Sequence, residues 1–394
     1  MSSPQGDHAA LIDAVANLCE DFSLDYWREH DAHGRFPHEF HQAIAKAGWL
    51  GIAMPTAQGG AGLGITEAAL MMRTISESGA GMSGASAVHM NIFGLNPVVV
   101  FGTEEQKQRF LPPLISGDQK ACFAVTEPDA GLDTTKLSTR AVRTGQGSKG
   151  DDDPYCITGR KIWTSTAQVA SHMLILTRTT PLAELEKPTQ GLSLFYTPLN
   201  KQYVEVREIE KMGRAGVDSN MLFIDGLPDP ANDRIGLEGK GFEYILHGLN
   251  PERILVAAEA IGLGRIALKL ATQYAKDRVV FGRPIGKNQS IAHPLARSWM
   301  HLEAANLMML NAAQLYDNKA PCGAQANAAK YLAAEAAQDT CHAAILTLGG
   351  MGYAKEYHVE RFLRESYIPR LAPVSEQMIL NYVAEKVLDL PRSY

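Results

Sequence analysis

The 394-residue sequence predicts a mainly helical protein with a small β domain at its centre. Apolar residues recur at helical spacing up to about residue 121, and short β-rich runs with turn residues between them follow. Long segments rich in Ala, Leu and Met return after about residue 229. We therefore predict an N-terminal helical domain over 1–121, a β domain over 122–228 and a C-terminal four-helix bundle over 229–394.

Helical periodicity is clearest in three segments of the N-terminal region. They read HEFHQAIAKAGWL, TEAALMMRTISESG and EEQKQRFLPPLISG, and each repeats apolar residues at spacings of three and four. The nearby GGAGLG has no βαβ unit around it and no Lys-Ser/Thr pair after it. We interpret it as an ordinary loop and not as a phosphate-binding site.

Six runs rich in β-branched and aromatic residues predict the strands of the central domain. They read CFAVT, YCITG, HMLILTR, LSLFYTPL, YVEVREI and NMLFIDGL. Two motifs carry hydroxyl groups at predicted strand ends, AVTEPDAGLD (124–133) and GRKIWTST (159–166). Such motifs are typical of a planar cofactor site, but a satisfied turn and a packed tryptophan explain them equally well.

Four long helices are predicted in the C-terminal region, over about 252–276, 290–318, 325–347 and 375–388. Asn250 fits the cap of the first helix and Pro251 its first position, so Glu252 should lie in the first turn. The loop KDRVVFGRPIGKNQS contains a cation, an aromatic ring and an amide that together suit a diphosphate and an adenine. LGGMGY ends the third helix, where its glycines are also explained as a helix stop.

Composition narrows the classes of function. Hydrophobic residues make up 45% of the chain, charged residues 20%, and the formal net charge is −6, so neither nucleic acid nor a membrane is an expected partner. The N-terminus has no basic region before a long apolar run, which argues against a secretory signal. Five scattered cysteines without CxxC spacing and dispersed histidines indicate a reducing compartment and no metal site. We expect a cytoplasmic protein.

In this order, the motifs resemble those of the acyl-CoA dehydrogenase family of flavoproteins, and the likeness spans nearly the whole chain. AVTEPDAGLD resembles the family's Thr-Glu-Pro flavin motif, and IWTST resembles its Trp-x-Thr/Ser segment. RVVFG with Gln289 resembles its Arg-x-x-Phe-Gly…Gln segment, and GGMGY resembles its Gly-Gly-x-Gly motif.

The resemblance implies FAD as the cofactor, an acyl-CoA substrate, an electron-transfer flavoprotein as electron acceptor and a homotetramer or homodimer. The implied reaction forms a trans-2-enoyl-CoA, because a glutamate takes the α-proton while a hydride leaves the β-carbon for flavin N5. Thr126, Trp163 and Ser165 would contact the flavin. The residues implied for the ADP half of the cofactor, part of them from a neighbouring subunit, are Arg278, Gln289, Gly349 and Gly350, with Phe281 beside them. Ser375 and Gln377 match further cofactor contacts.

Three positions depart from the family pattern. Pro373 stands where most members carry the catalytic glutamate. Leu132 replaces a serine that touches the CoA arm, and Leu346 replaces a glutamine that touches the cofactor. Two acids could supply the missing base, Glu252 and Glu376. Each is predicted in the first turn of a helix, where the helix dipole favours a carboxylate.

A branch of the family that includes isovaleryl-CoA and long-chain dehydrogenases carries its glutamate directly before a common arginine. Glu252 and Arg253 fit that arrangement, so the resemblance implies Glu252 as the base and Arg253 and Leu132 as substrate contacts. Two other readings stay open on the sequence. One is a flavoenzyme with different chemistry on this scaffold, such as an oxygen-using oxidase or an acyl-CoA desulfinase, and the other is a CoA- or flavin-binding scaffold without turnover.

Overall fold

The computed structural model describes residues 4–92, 95–145 and 153–392. Within these residues, helices precede and follow a central sheet, which confirms the predicted fold class. The three N-terminal segments with predicted helical periodicity form α3, α4 and α7. The helices before the sheet are α1 Pro4–Cys19, α2 Leu24–His33, α3 His38–Lys46, α4 Ile65–Ile75, α5 Gly81–Ile92, α6 Asn96–Phe101 and α7 Glu104–Ile115.

The described part of the central region forms one eight-stranded sheet. Its order is β6-β7-β3-β2-β4-β5-β8, and β1 pairs in parallel with β4. All six predicted runs form strands, whereas the short strands β2 and β8 were not predicted. The strands are β1 Ala121–Ala124, β2 Arg140–Arg143, β3 Tyr155–Ser165, β4 His172–Arg178, β5 Leu192–Pro198, β6 Val204–Glu208, β7 Ser219–Asp229 and β8 Arg234–Ile235.

Long helices form most of the chain after the sheet. A two-stranded hairpin, β9 Val279–Val280 with β10 Arg283–Pro284, connects the first two of them. The helices are α8 Gly241–Asp277, α9 Gln289–Asp317, α10 Gly323–Leu348, α11 Val359–Glu365, α12 Ile368–Leu371 and α13 Glu376–Lys386. The four predicted helices correspond to α8, α9, α10 and α13.

One apolar core joins the N-terminal helices to the long C-terminal ones. Met71 and Val88 from α4 and α5 pack there with Ile254, Ile261 and Met309 from α8 and α9. This core accounts for the apolar character of α4 and α5. The segment 65–101 contains an 18-residue window with a mean hydropathy of 1.3 and is long and apolar enough to cross a membrane by length and composition alone. Since 69% of its apolar window is buried inside the protein, the stretch fits a core helix.

The start of α8 differs from the prediction. The helix begins at Gly241, and Pro251 lies in its interior, so Asn250 is not a helix cap. The helix extends upstream because Tyr244 is buried in the apolar cluster beside the sheet, and burial of an apolar face outweighs a local cap signal. Glu252 therefore lies about three turns inside the helix and gains nothing from a dipole effect that is confined to the first turn.

Asp317, at the end of α9, joins the C-terminal helices to the start of α4. Its carboxylate accepts hydrogen bonds from the backbone N–H groups of Ile65 and Thr66 at 2.8 and 2.9 Å. It also accepts one from the Thr66 hydroxyl at 2.6 Å. Because Gly64, which precedes α4, has no side-chain oxygen, Asp317 supplies the N-cap from a distant part of the chain.

Asp317→Ala should lower the free energy of unfolding by about 1–2 kcal/mol, as the loss of a helix cap does. Asp317→Asn keeps one acceptor oxygen and should lower it less. Urea denaturation measures both changes. Asp277→Ala is the control, because Asp277 is an exposed carboxylate at the end of α8. Equal stability of Asp317→Ala and this control would contradict the capping role.

Candidate active site

A cavity of about 450 Å³ lies where the sheet meets α8 and the segment before α13. Glu252, Asp133 and Arg253 are the charged residues that line it. Asp133 is exposed and bonded to Thr135 and Lys136, whereas the Glu252 side chain is only 16% exposed. Most other lining residues are apolar, among them Met90, Pro97, Phe123, Val125, Ile162, Phe242, Ile245, Leu246 and Leu249.

A bulge in β3 turns the side chain of Trp163 toward this cavity. Two residues between Lys161 and Thr164 lie opposite a single residue of β7. Trp163, one of the two, has a φ of 61°, a conformation that is uncommon outside glycine. Bulges change the direction of a side chain, and the Trp163 side chain remains 57% exposed. The cavity therefore has a large, flat aromatic surface on one wall.

Thr126 lies beside this bulge, just after the end of β1. Its backbone carbonyl accepts a hydrogen bond from the N–H of Ile162 at 2.9 Å, and both Thr126 and Trp163 line the cavity. The structure thus brings together the two motifs that carry hydroxyl groups. Ser165, at the end of β3, accepts a hydrogen bond from the Arg214 guanidinium at 2.9 Å.

A buried ion pair fixes the end of β1 against β3. The fully buried ammonium of Lys161 donates to Glu127 Oε1 at 3.0 Å and to two backbone carbonyls. Burial lowers the pKa of Lys161 to about 8. Burial also acts to raise the pKa of Glu127, but Lys161 and hydrogen bonds from Ser138 and Thr139 lower it to about 2. Both groups are therefore charged at neutral pH.

Glu252 is bonded to a buried histidine of α5. Its Oε2 atom lies 2.8 Å from Nε2 of His89, and Nδ1 of the same ring lies 2.5 Å from Oε1 of Glu259. Burial alone lowers the pKa of His89, but the two carboxylates more than reverse this and raise it well above its usual value. His89 is therefore a cation at neutral pH, and its two N–H groups donate to the two carboxylates.

His89 and Glu259 lie behind Glu252, away from the cavity, and the sequence prediction missed both. Glu252 and Glu259 are seven residues apart on α8 and so share one face of the helix. Two acids at that spacing in the mainly apolar stretch 249–262 were the signal that the sequence offered. The position of His89 between them depends on how α5 packs against α8, which no local pattern shows.

Glu376 has a different environment from Glu252. It lies in the first turn of α13, as predicted, but it does not line the cavity. Arg370 holds both of its oxygens, with Nη2 donating to Oε2 at 2.6 Å and Nε lying 2.5 Å from Oε1. Ser375 is the N-cap of α13 and accepts a hydrogen bond from the N–H of Met378, while Gln377 is exposed on the same turn.

Three other positions predicted from the sequence line the cavity: Leu132, Arg253 and Pro373. Arg253 donates to Oδ1 of Asn250 at 3.2 Å. Its Nε atom is buried and has no hydrogen-bond partner among the described residues, and burial lowers its pKa. Pro373 has no N–H, so this position contributes no backbone donor to the cavity.

The residues predicted for the ADP half of the cofactor lie on another surface. Arg278 precedes the β9–β10 hairpin, and Phe281 lies at its tip with the whole side chain exposed. Phe281 and Gly282 both have positive φ, of 51° and 75°, as a two-residue type I′ turn requires.

Gln289 begins α9, and Gly349 and Gly350 follow α10. All three are exposed. A groove of about 330 Å³ between α9 and α10 begins beside both segments, since Ser290 and Leu346 line it. None of these residues lines the cavity that contains Glu252.

The cavity brings an exposed tryptophan ring and a sheltered carboxylate together, an arrangement that suits an enzyme with a flat cofactor. Three family models match the chain: the acyl-CoA dehydrogenase N-terminal domain over 5–118, the middle domain over 122–227 and the C-terminal domain over 239–388. The chain belongs to the acyl-CoA dehydrogenase family.

Individual relatives cover nearly the whole chain. Acyl-CoA dehydrogenase FadE12 of Mycobacterium tuberculosis is 35% identical over 397 residues, which cover 98% of this chain and 96% of the relative. The caffeyl-CoA reductase-Etf complex subunit CarC of Acetobacterium woodii is 36% identical and covers 89% of this chain and 91% of its own. The structure of butyryl-CoA dehydrogenase from Megasphaera elsdenii superposes with a TM-score of 0.90 at 27% identity, covering 97% and 98%.

Members of this family are oxidoreductases that bind FAD, so the predicted enzyme class and cofactor are confirmed. The residues present fit this cofactor. The exposed face of Trp163 and the hydroxyl group of Thr126 suit a flavin ring in the cavity. The exposed guanidinium of Arg278 suits a diphosphate.

Proposed function

We propose that this protein oxidises an acyl-CoA thioester to the trans-2-enoyl-CoA and that Glu252 is the base that takes the α-proton. One observation carries the proposal. Glu252 is the sheltered carboxylate of an apolar cavity, and the same cavity is lined by Thr126 and Trp163, which match the family's flavin contacts. Glu376, the alternative base, is held by Arg370 outside that cavity.

The residues of the chain supply position and a proton acceptor. Glu252 begins the reaction as a carboxylate bonded through Oε2 to the His89 cation. It ends the reaction protonated, because it receives the proton from the α-carbon. Bound FAD supplies the hydride acceptor for the β-carbon. The mainly apolar lining lowers the polarity around Glu252, which strengthens the electrostatic interactions there.

The lining of the cavity supports an uncharged acyl group as substrate. Among the described residues, the charged ones that line it are Glu252, Arg253 and the exposed Asp133. An electron-transfer flavoprotein is the electron acceptor we propose, which the relative named as a subunit of an Etf complex supports. We also propose a homo-oligomer, since the fully exposed Phe281 and the exposed glycines after α10 suit a cofactor shared between subunits. We propose a cytoplasmic location, which the scattered cysteines support.

An anaerobic titration of the FAD-bound protein with acyl-CoAs of increasing length tests this function. Saturated, uncharged acyl-CoAs should bleach the flavin absorbance, and the product should be the trans-2-enoyl-CoA. A dicarboxylyl-CoA is the charged comparison and should bleach it less. If no acyl-CoA bleaches the flavin, the proposed reaction is wrong.

A second function on the same scaffold is an oxygen-using oxidase. Pro373 favours it, because the residue lines the cavity without the N–H that most family members offer to the thioester carbonyl. Catalytic oxygen consumption with acyl-CoA, in the absence of any other electron acceptor, would select this second function over the dehydrogenase.

Arg278→Ala and Gln289→Ala should each weaken the retention of FAD more than they slow flavin reduction in the protein that keeps it. A hydrogen bond to a charged group contributes about 1.5–3 kcal/mol, so loss of the Arg278 contact should reduce affinity about 10- to 150-fold. The ratio of flavin to protein absorbance after gel filtration measures retention. Arg283→Ala, on the same exposed hairpin, is the matched control. Full FAD content in both variants would contradict these contacts.

A further inference from the structure

His89, Glu252 and Glu259 form a buried row of alternating charge across the α5–α8 contact. His89 is 7% exposed and Glu259 1%. The imidazole ring bridges two carboxylates that lie on one face of α8, two turns apart. Glu252 stands at the end of this row that reaches the cavity, and Glu259 stands at the interior end.

A further cation lies near the interior end of the row. Arg214 is influenced electrostatically by Glu259, and its guanidinium donates to Ser86, one turn before His89 on α5, at 3.2 Å. The same guanidinium donates to Ser165 at 2.9 Å. Each carboxylate of the row therefore has a cation beside it, so neither is buried without an opposite charge.

A second buried histidine shows what the carboxylates change. His41 of α3 is fully buried, and burial lowers its pKa to about 4, so it is neutral at pH 7. His89 is as sheltered but donates to two carboxylates. The bridge therefore depends on the two acids of α8 and is not a general consequence of burying a histidine.

The geometry leaves one oxygen of Glu252 for the reaction. Its Oε2 atom is bonded to His89, and no hydrogen bond to Oε1 is found within residues 4–92, 95–145 and 153–392. A carboxylate held through one oxygen has far fewer side-chain conformations, and a catalytic group held close to its reacting geometry gains rate through orientation.

We propose that His89, held in turn by Glu259, is a positioning residue that fixes Glu252 through Oε2 and leaves Oε1 free to take the α-proton. The inference rests on the proposed role of Glu252 as base. His89 itself neither gains nor loses a proton in this scheme. It acts through Glu252, and Glu259 acts through His89.

Two substitutions of His89 separate its two contacts. His89→Gln places an amide N–H near the position of Nε2 and so keeps a donor for Glu252. His89→Asn places its amide near Nδ1 and so keeps the contact with Glu259 but releases Glu252. His41→Asn is the matched control, because it replaces a buried histidine that is not bonded to a carboxylate. All variants are studied with FAD bound.

Stopped-flow reduction of the flavin by an acyl-CoA gives the limiting rate and the dissociation constant separately. In His89→Asn the limiting rate should fall about 10- to 100-fold, as a displaced catalytic group typically causes, while acyl-CoA affinity and FAD content stay unchanged. Deuterium at the α-carbon should slow this variant by a larger factor than the wild type. His89→Gln should reduce the flavin much faster than His89→Asn, and His41→Asn should match the wild type.

Equal limiting rates in His89→Asn and the wild type would overturn the proposal. Equal impairment of His89→Asn and His89→Gln together with loss of FAD would also overturn it, since that pattern marks a structural role. If His89→Asn does not fold, Glu259→Leu decides the matter. This variant should slow reduction by removing the acceptor that holds Nδ1 of His89, and a wild-type rate there would overturn the proposal.

Glu252→Gln in the same series tests the role of Glu252 as base separately from the positioning role of His89. If it reduces the flavin normally, the proposed base is wrong and the inference falls with it. If it does not reduce the flavin while His89→Asn does so at the wild-type rate, the base stands and only the positioning role of His89 is wrong.

Discussion

Glu252→Gln should keep FAD and bind acyl-CoA but should not reduce the flavin. Glutamine has the size of glutamate and keeps an oxygen that accepts the hydrogen bond from His89, so the cavity wall should stay intact. It has no carboxylate to accept the α-proton. We expect the limiting rate of reduction to fall by more than the roughly 10²–10⁴-fold that a general base typically contributes. Anaerobic stopped-flow absorbance measures this rate.

Glu376→Gln is the comparison for that experiment. Its carboxylate is bonded to Arg370 and is shielded from the cavity, so the variant should lose some stability while flavin reduction stays near the wild-type rate. Normal reduction in Glu252→Gln with no reduction in Glu376→Gln would reverse the assignment. Pro373→Glu on the Glu252→Gln background adds a carboxylate on another wall of the same cavity, and recovered activity would show that the cleft accepts a base there.

The order of the elements was predictable because each segment carries its own period. Spacings of three and four predict α3, α4 and α7, and β-branched runs predict six of the eight strands of the central sheet. The start of α8 was not predictable from its sequence. Asn250 and Pro251 form a good local cap signal, but the burial of Tyr244 keeps the preceding residues helical.

Some residues of the candidate site were likewise predictable from the sequence, and others were not. The family resemblance of two short motifs implied Thr126, Trp163 and Ser165 as flavin contacts. The bulge that turns Trp163 into the cavity was not predicted, because it depends on the register between β3 and β7. The bridge from Glu252 to His89 joins residues 163 positions apart. Contacts at such separations follow from the packing of α5 on α8 and leave no short-range pattern.

The contact between Lys161 and Glu127 also depends on packing between distant parts of the chain. Of the substitutions considered, its loss should lower the free energy of unfolding most. Lys161→Met removes the cation but leaves the Glu127 carboxylate 4% exposed and without its principal counter-charge. Removal of one partner of a buried ion pair lowers stability by about 3–5 kcal/mol. Because the pair supports the β1 end that carries Thr126, FAD retention should fall too. Urea denaturation and the flavin-to-protein absorbance ratio measure the two effects.

Acid sensitivity supplies an independent check on this pair. The pKa of Glu127 is about 2 in the folded protein and 4.5 in a free side chain, so its contribution to stability is present above about pH 4.5 and is lost as the pH falls toward 2. Lys161→Met should weaken that part of the acid dependence, because Lys161 is the main group that lowers this pKa. Lys240→Met removes an exposed lysine paired with Glu243, and it should change stability by no more than about 0.5 kcal/mol. If Lys161→Met matched this control in both stability and acid dependence, the buried pair would not be what holds β1 against β3.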